Sequence, residues 1–151
     1  MATTITAADL TVTITETLSL NGVDYGNTIN KTFSTKGQVD QRIMSIDYNV
    51  DNTFTDIFSF STIDGQGQGV KTDYAYFRIT NLDDTNFITV QVTAGDTYWV
   101  KLKAGESFML MDNEMDAIAS STSFGAFADV TKVSASASTA DCDIEYTVVT
   151  A

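Results

Sequence analysis

The chain contains no histidine and no proline among its 151 residues, and only one cysteine. Without histidine it lacks the side chain most used for acid–base work near neutral pH and the commonest metal ligand. Ser–His and Cys–His nucleophilic pairs are excluded within the chain for the same reason. Average usage would supply about seven or eight prolines in this length, so the turns must be built from Gly, Asn and Asp. A lone Cys142 excludes an intramolecular disulfide. Basic residues are scarce as well: eight Lys and Arg stand against twenty Asp and Glu, for a net charge of −12. They are scattered, with Lys101 and Lys103 the nearest approach to a patch, so nucleic acid is not an expected partner. No apolar run approaches the roughly 20 residues of a membrane-spanning helix. No charged, apolar, small-residue leader opens the chain at 1–10, so export by a signal peptide is not expected either.

What is abundant is alternation. In 10–20, Leu10, Val12, Ile14, Leu18 and Leu20 fall on one parity, interrupted only by Glu16, and Thr11, Thr13, Thr15, Thr17 and Ser19 fall on the other. A period of two puts every apolar side chain on one face of a strand. Asn21 and Gly22 follow at once and predict a turn, since both tolerate positive φ. Further strands are predicted at 29–33, 42–48, 54–63, 74–80, 87–92, 97–103, 107–111, 130–136 and 142–149, each rich in β-branched and aromatic residues and bounded by turn formers. In the last of these Cys142, Ile144, Tyr146 and Val148 share one face. Helix has little room; the best candidate, 113–121, is expected to give one short turn at most. About ten short strands predict an all-β fold, an antiparallel β-sandwich or jelly roll. A single domain over 1–151 is expected, with the polar residues 1–9 able to extend as an arm, and a chain of this length can bury roughly 68 to 70% of its unfolded surface.

Candidate chemistry is thin. Cys142 lies on an apolar face between Asp141 and Asp143, the opposite of the electropositive setting that a reactive thiolate needs. Glycoside hydrolysis requires two carboxylates in a shaped cleft, and only Asp56, between Phe54 and Phe58 on one parity, is placed for burial. The acidic groups Asp112, Glu114 and Asp116, Asp83 and Asp84, and Asp47 and Asp51 do not match the spaced loop of a calcium hand. The stretch from Gly65 to Lys71 lacks the P-loop spacing and a following helix. No enzymatic activity, catalytic residue, cofactor or metal is therefore expected. In 97–103, Tyr98, Val100 and Leu102 face one way while Trp99, Lys101 and Lys103 face the other, so a core-facing first set leaves Trp99 outside. An outward Trp can be a sugar platform, an anchor at a subunit interface, or packing against a second layer. Tyr98, Trp99 and Lys101 are candidate partner-interface residues. Gly65, Gly67 and Gly69 are the others, in a loop that either tips a hairpin or orders against a partner.

One stretch has a family cadence. Tyr76-Phe77-Arg78-Ile79-Thr80-Asn81-Leu82-Asp83 ends a strand, Thr85-Asn86-Phe87 begins a return strand, and Lys101-Leu102-Lys103-Ala104-Gly105-Glu106 turns into another apolar strand. This grammar, with the closing Asp143-Ile144-Glu145-Tyr146, resembles the small β-sandwich virion proteins of tailed bacteriophages, capsid decoration or cement proteins above all. The resemblance covers about the C-terminal half. It implies a non-enzymatic component of the particle, made in the host cytoplasm and seated on the capsid surface. Its implied partner is the major capsid protein or another virion protein, and it implies a small cyclic homo-oligomer, a trimer by preference. A tail-associated or carbohydrate-binding β-sandwich module is the alternative.

Overall fold

A computed structural model describes residues 6–48, 53–62, 69–115 and 126–151. The chain, expected to form one domain over 1–151, divides into two compact units: one up to Gly37 that also takes in Ala151, and one over Gln38–Thr150.

The first unit is a β-ribbon. Strand β1 (Ala8–Glu16) pairs antiparallel with β4 (Asn27–Lys36), and the connection between them carries two short strands, β2 (Ser19–Leu20) and β3 (Val23–Asp24), that pair with each other. The predicted turn is there: Asn21 has φ 51° and Gly22 φ 80°, the left-handed pair that joins β2 to β3. Residues 1–5 of the expected arm lie outside the described residues, and Ala8 and Asp9 already belong to β1. The ribbon strands pair only with one another, which is why the unit separates from the rest.

The second unit is a β-sandwich. Its strands are β5 (Gln38–Ile46), β6 (Thr55–Ser61), β7 (Gly69–Val70), β8 (Tyr74–Asn81), β9 (Ile88–Ala94), β10 (Asp96–Leu102), β11 (Ser107–Leu110), β12 (Glu114–Met115), β13 (Ala128–Asp129), β14 (Lys132–Ala137) and β15 (Cys142–Thr150). One sheet runs β10-β9-β14-β6-β7 and the other β11-β8-β15-β5; β12 and β13 form a small pair of their own. These strands pair antiparallel except for the short parallel pairing of β6 with β7. The alternating residues of the two inner faces meet in one core, with Val90, Val92 and Val133 from the first sheet and Phe77, Ile79, Ile144 and Tyr146 from the second. Edge-on aromatic contacts cross it, Phe58 to Tyr146 at 6.5 Å between centroids and Phe60 to Tyr74 at 5.1 Å.

Two expectations are corrected. The helical turn at 113–121 is not what the described part adopts: 114 and 115 form β12 against β13, and 116–121 lie outside the described residues. Asp56 is not a buried carboxylate. In the pairing of β14 with β6, Val133 faces Phe58 but Ser134 faces Asp56, so Ile57 is an extra residue on β6. That bulge reverses the parity. Ile57 and Phe58 are both buried, and Asp56 is turned outward to an ion pair with Lys132 at 3.0 Å.

Burial also sets the alkaline limit of the sandwich. The Tyr146 phenol, buried in the core and donating to Asp40 Oδ2 at 3.2 Å, is pushed up to about 12, first by burial and then by the Asp40 charge. The Tyr74 phenol, which donates to the Leu110 carbonyl at 2.7 Å, is driven further in the same direction, again mainly by burial. A folded-state value above the unfolded one means that the stabilisation is complete below pH about 10 and is lost as pH rises through the folded value. Urea midpoints are expected to hold level to about pH 10 and to fall toward pH 12, less steeply in Tyr146→Phe. A midpoint unchanged across that window contradicts the assignment.

Candidate functional site

On the outer face of the five-stranded sheet, side chains that point away from the core, joined by the core residue Ala137 at the end of β14, line an open trough. Cross-strand pairing sets its rows: Lys101 beside Thr89 beside Ser136, and Trp99 beside Gln91 beside Ser134. β9 and β14 contribute short hydroxyl side chains, while large rings stand at the flanks. Trp99 rises from the edge strand β10 and is 59% exposed; Phe54 stands just before β6, three strand spacings away, or about 14 Å. Phe87, immediately before β9, completes the aromatic wall. Among the described residues the trough is lined by Phe54, Phe87, Thr89, Trp99, Ser136, Ala137 and Ser138, and its volume is about 580 Å³.

The neighbouring groups hold these residues in place. Lys101 Nζ sits 3.8 Å from the centroid of the Phe87 ring, a cation–π contact that fixes the ring and occupies the cation. The Ser138 amide donates to the Phe87 carbonyl at 3.1 Å, tying the end of β14 to the start of β9. Beside the trough, Ser134 Oγ donates to Gln91 Oε1 at 3.0 Å, and Lys132 holds Asp56.

The ribbon presents a second surface. Leu10, Val12 and Ile14 lie opposite Phe33, Lys31 and Ile29, so the register gathers these apolar side chains on one face, with Lys31 Nζ 5.4 Å from the Phe33 centroid. The reverse face is threonine and asparagine, with Thr11 and Thr32 hydroxyls 3.2 Å apart. At its far end Leu18, Leu20, Val23, Tyr25 and Ile29 are each between 51% and 58% exposed. Two strands alone are marginal in water, and such an amphipathic ribbon gains its stability when something covers the apolar side. Charge is arranged to suit: three carboxylates and two lysines fall in 1–37, against seventeen carboxylates and six Lys or Arg in 38–150.

No family model, curated protein or solved structure matches the chain.

The candidate interface residues separate. Trp99 and Lys101 are on the outer face. Tyr98 is not: it packs against the core, its ring edge-on to Phe108 at 6.4 Å, and burial raises its phenol. Gly69 opens β7, where a Cβ would meet Phe58 Cε1 at 3.1 Å, so its small size serves packing of that strand. Gly65 and Gly67 lie outside the described residues.

The acidic groups are occupied locally. Asp83 Oδ1 accepts the Thr85 and Asn86 amides at 2.7 and 2.5 Å, which holds its carboxyl below the usual range. Asp112 Oδ1 accepts the Glu114 amide at 3.1 Å, and Asp51 and Asp116 lie outside the described residues. Among the described residues no three His, Cys, Asp or Glu side chains are grouped to hold a metal. Cys142 is buried, and burial, with Asp83, Asp141 and Asp143 nearby, pushes its thiol up to about 11.

The sequence pointed to Trp99 but not to Phe54, Phe87, Thr89, Ser136 or Ser138. Together with Trp99 these come from four separate stretches that only the β10-β9-β14-β6 order brings together.

Proposed function

We propose that the protein is a non-catalytic structural component of a virus particle, a capsid decoration protein whose ribbon seats its apolar face on a neighbouring subunit. The observation that carries this reading is the ribbon face itself. Five half-exposed Leu, Val, Tyr and Ile side chains on a two-stranded element leave on the order of 1 kcal/mol each to be gained when they are covered. The near-neutral charge of 1–37 lets that face approach another protein while the acidic remainder keeps copies apart. The likeness of the 74–119 cadence to virion β-sandwich proteins supplies the kind of partner, the major capsid protein, and the expected copy number, a trimer.

Purified protein mixed with undecorated capsids is expected to add to a fixed stoichiometry and to raise the temperature at which the capsids open. Ile29→Asp changes a side chain that is 55% exposed in the chain, so its thermal midpoint should stay near that of the parent. Its addition to capsids should weaken about tenfold or more. Failure of the parent to bind any capsid overturns the proposal, and unchanged binding by Ile29→Asp overturns the role of the ribbon.

A further inference from the structure

We infer that the trough beneath Trp99 is a binding site for a neutral oligosaccharide, independent of any role of the ribbon. A pyranose presents C–H faces that lie against aromatic rings and a rim of hydroxyls that exchange hydrogen bonds with short polar side chains. The trough offers both. Trp99 and Phe54 supply the rings, with Phe87, one face of which Lys101 covers, as part of the wall, and Thr89, Ser136 and Ser138 supply hydroxyls. No hydrogen bond of these three hydroxyls is seen among the described residues; Thr89 and Ser138 are half-buried and Ser136, 9% exposed, lies deeper in the trough wall, so their donors and acceptors are open to a ligand hydroxyl that enters it.

Size and charge narrow the occupant. A volume of about 580 Å³ falls within the range of small-molecule sites, roughly 300 to 1,000 Å³, and the roughly 14 Å from Trp99 to Phe54 suits a short chain of sugar rings over a single one. The lining residues carry no charge. The nearest cation, Lys101, is already seated on the Phe87 ring, and Lys132 is paired with Asp56. The unit around the trough holds seventeen carboxylates against six Lys or Arg. Polyanions such as nucleic acid or sulfated glycans are repelled by that field, whereas a neutral glycan is indifferent to it.

The trough also reports on itself, because Trp99 is the only tryptophan. An array of neutral glycans is screened with the full chain. Its hits, with maltotetraose, cellotetraose and N-acetylchitotetraose as fixed probes, are then titrated while Trp99 emission is followed. At least one neutral oligosaccharide should give a saturable blue shift with a Kd on the order of 1 mM or tighter, and a sulfated tetrasaccharide should give none. By calorimetry, Trp99→Ala should bind the same sugar about tenfold or more weakly with an unchanged thermal midpoint. Ser136→Ala, which removes a hydroxyl without adding bulk, should bind it severalfold more weakly. Silence to every neutral glycan, as would follow if the trough takes a protein segment, overturns the inference. So does a sugar that Trp99→Ala binds as well as the parent.

Discussion

Asn81→Asp is expected to cost about 2–4 kcal/mol of stability at neutral pH, although it changes one side-chain amide to a carboxylate of the same shape. Asn81 is fully buried at the end of β8. Its Nδ2 donates to the Asn86 carbonyl at 2.9 Å and to the Leu102 carbonyl at 3.2 Å, and its Oδ1 accepts the Asp83 amide at 3.1 Å. Its backbone is held as well, the amide donating to the Glu106 carbonyl and the carbonyl accepting from Gly105, both at 3.0 Å. One residue therefore clasps the 82–87 connection, the end of β10 and the turn into β11. A carboxylate there would aim negative charge at two carbonyl oxygens. Burial and those oxygens would raise its folded-state pKa, so the variant keeps its stability while protonated, below the usual carboxylate range, and loses it as pH rises through the raised value. The gap in urea midpoint between parent and variant should be small near pH 4 and wide at pH 7.5. A gap that does not change with pH would refute the clasp.

Phe77→Ala should cost about 3–5 kcal/mol, the range for removing a fully buried ring from a close-packed core. Phe77 has no exposed surface, and its ring lies nearly parallel to that of Tyr146, 20° apart with centroids at 6.5 Å. With a urea dependence of about 1–3 kcal/mol per molar, the midpoint should drop by more than about 1 M. Phe77→Leu, which refills most of the gap, should fall much less. A loss below about 1 kcal/mol for Phe77→Ala would mean that the two sheets close over the vacancy.

These two residues also show what the sequence could and could not disclose. Phe77 was legible as part of a predicted strand but not as a core position, since 74–77 is apolar on both parities and buried on both; period two did place the faces of β1 and β15 and the outward turn of Trp99. Asn81 was not legible. In the run Asn81-Leu82-Asp83 it has the composition of a solvated hairpin connection, and only the approach of Leu102 from β10 encloses it, while Leu82 is left exposed. Asp56 failed for a different reason: parity holds only while a strand is regular, and the single extra residue at Ile57 reverses it without any marker in the sequence. The small pair β12 and β13 was hidden because two-residue strands are too short for periodicity to register. The trough was only half visible, since a pattern within one strand can place Trp99 outside but cannot say which strands will lie beside it.

The strand order has one more consequence, for the time course of folding. β14 lies between β9 and β6, and β15 lies between β8 and β5, so the two strands formed last along the chain are central to the two sheets. Thr150 reaches back to Gln38, 112 positions away. β5, β6, β8 and β9 each wait for a partner that comes late in the chain, and such distant closures are slow to find. Refolding should be slow for a chain this size and should show no stable sandwich until β15 docks, leaving β5, β6, β8 and β9 with unsatisfied edges meanwhile. During that interval the protein is most exposed to aggregation, and its many carboxylates then serve a purpose beyond the native surface: they keep unfinished chains apart.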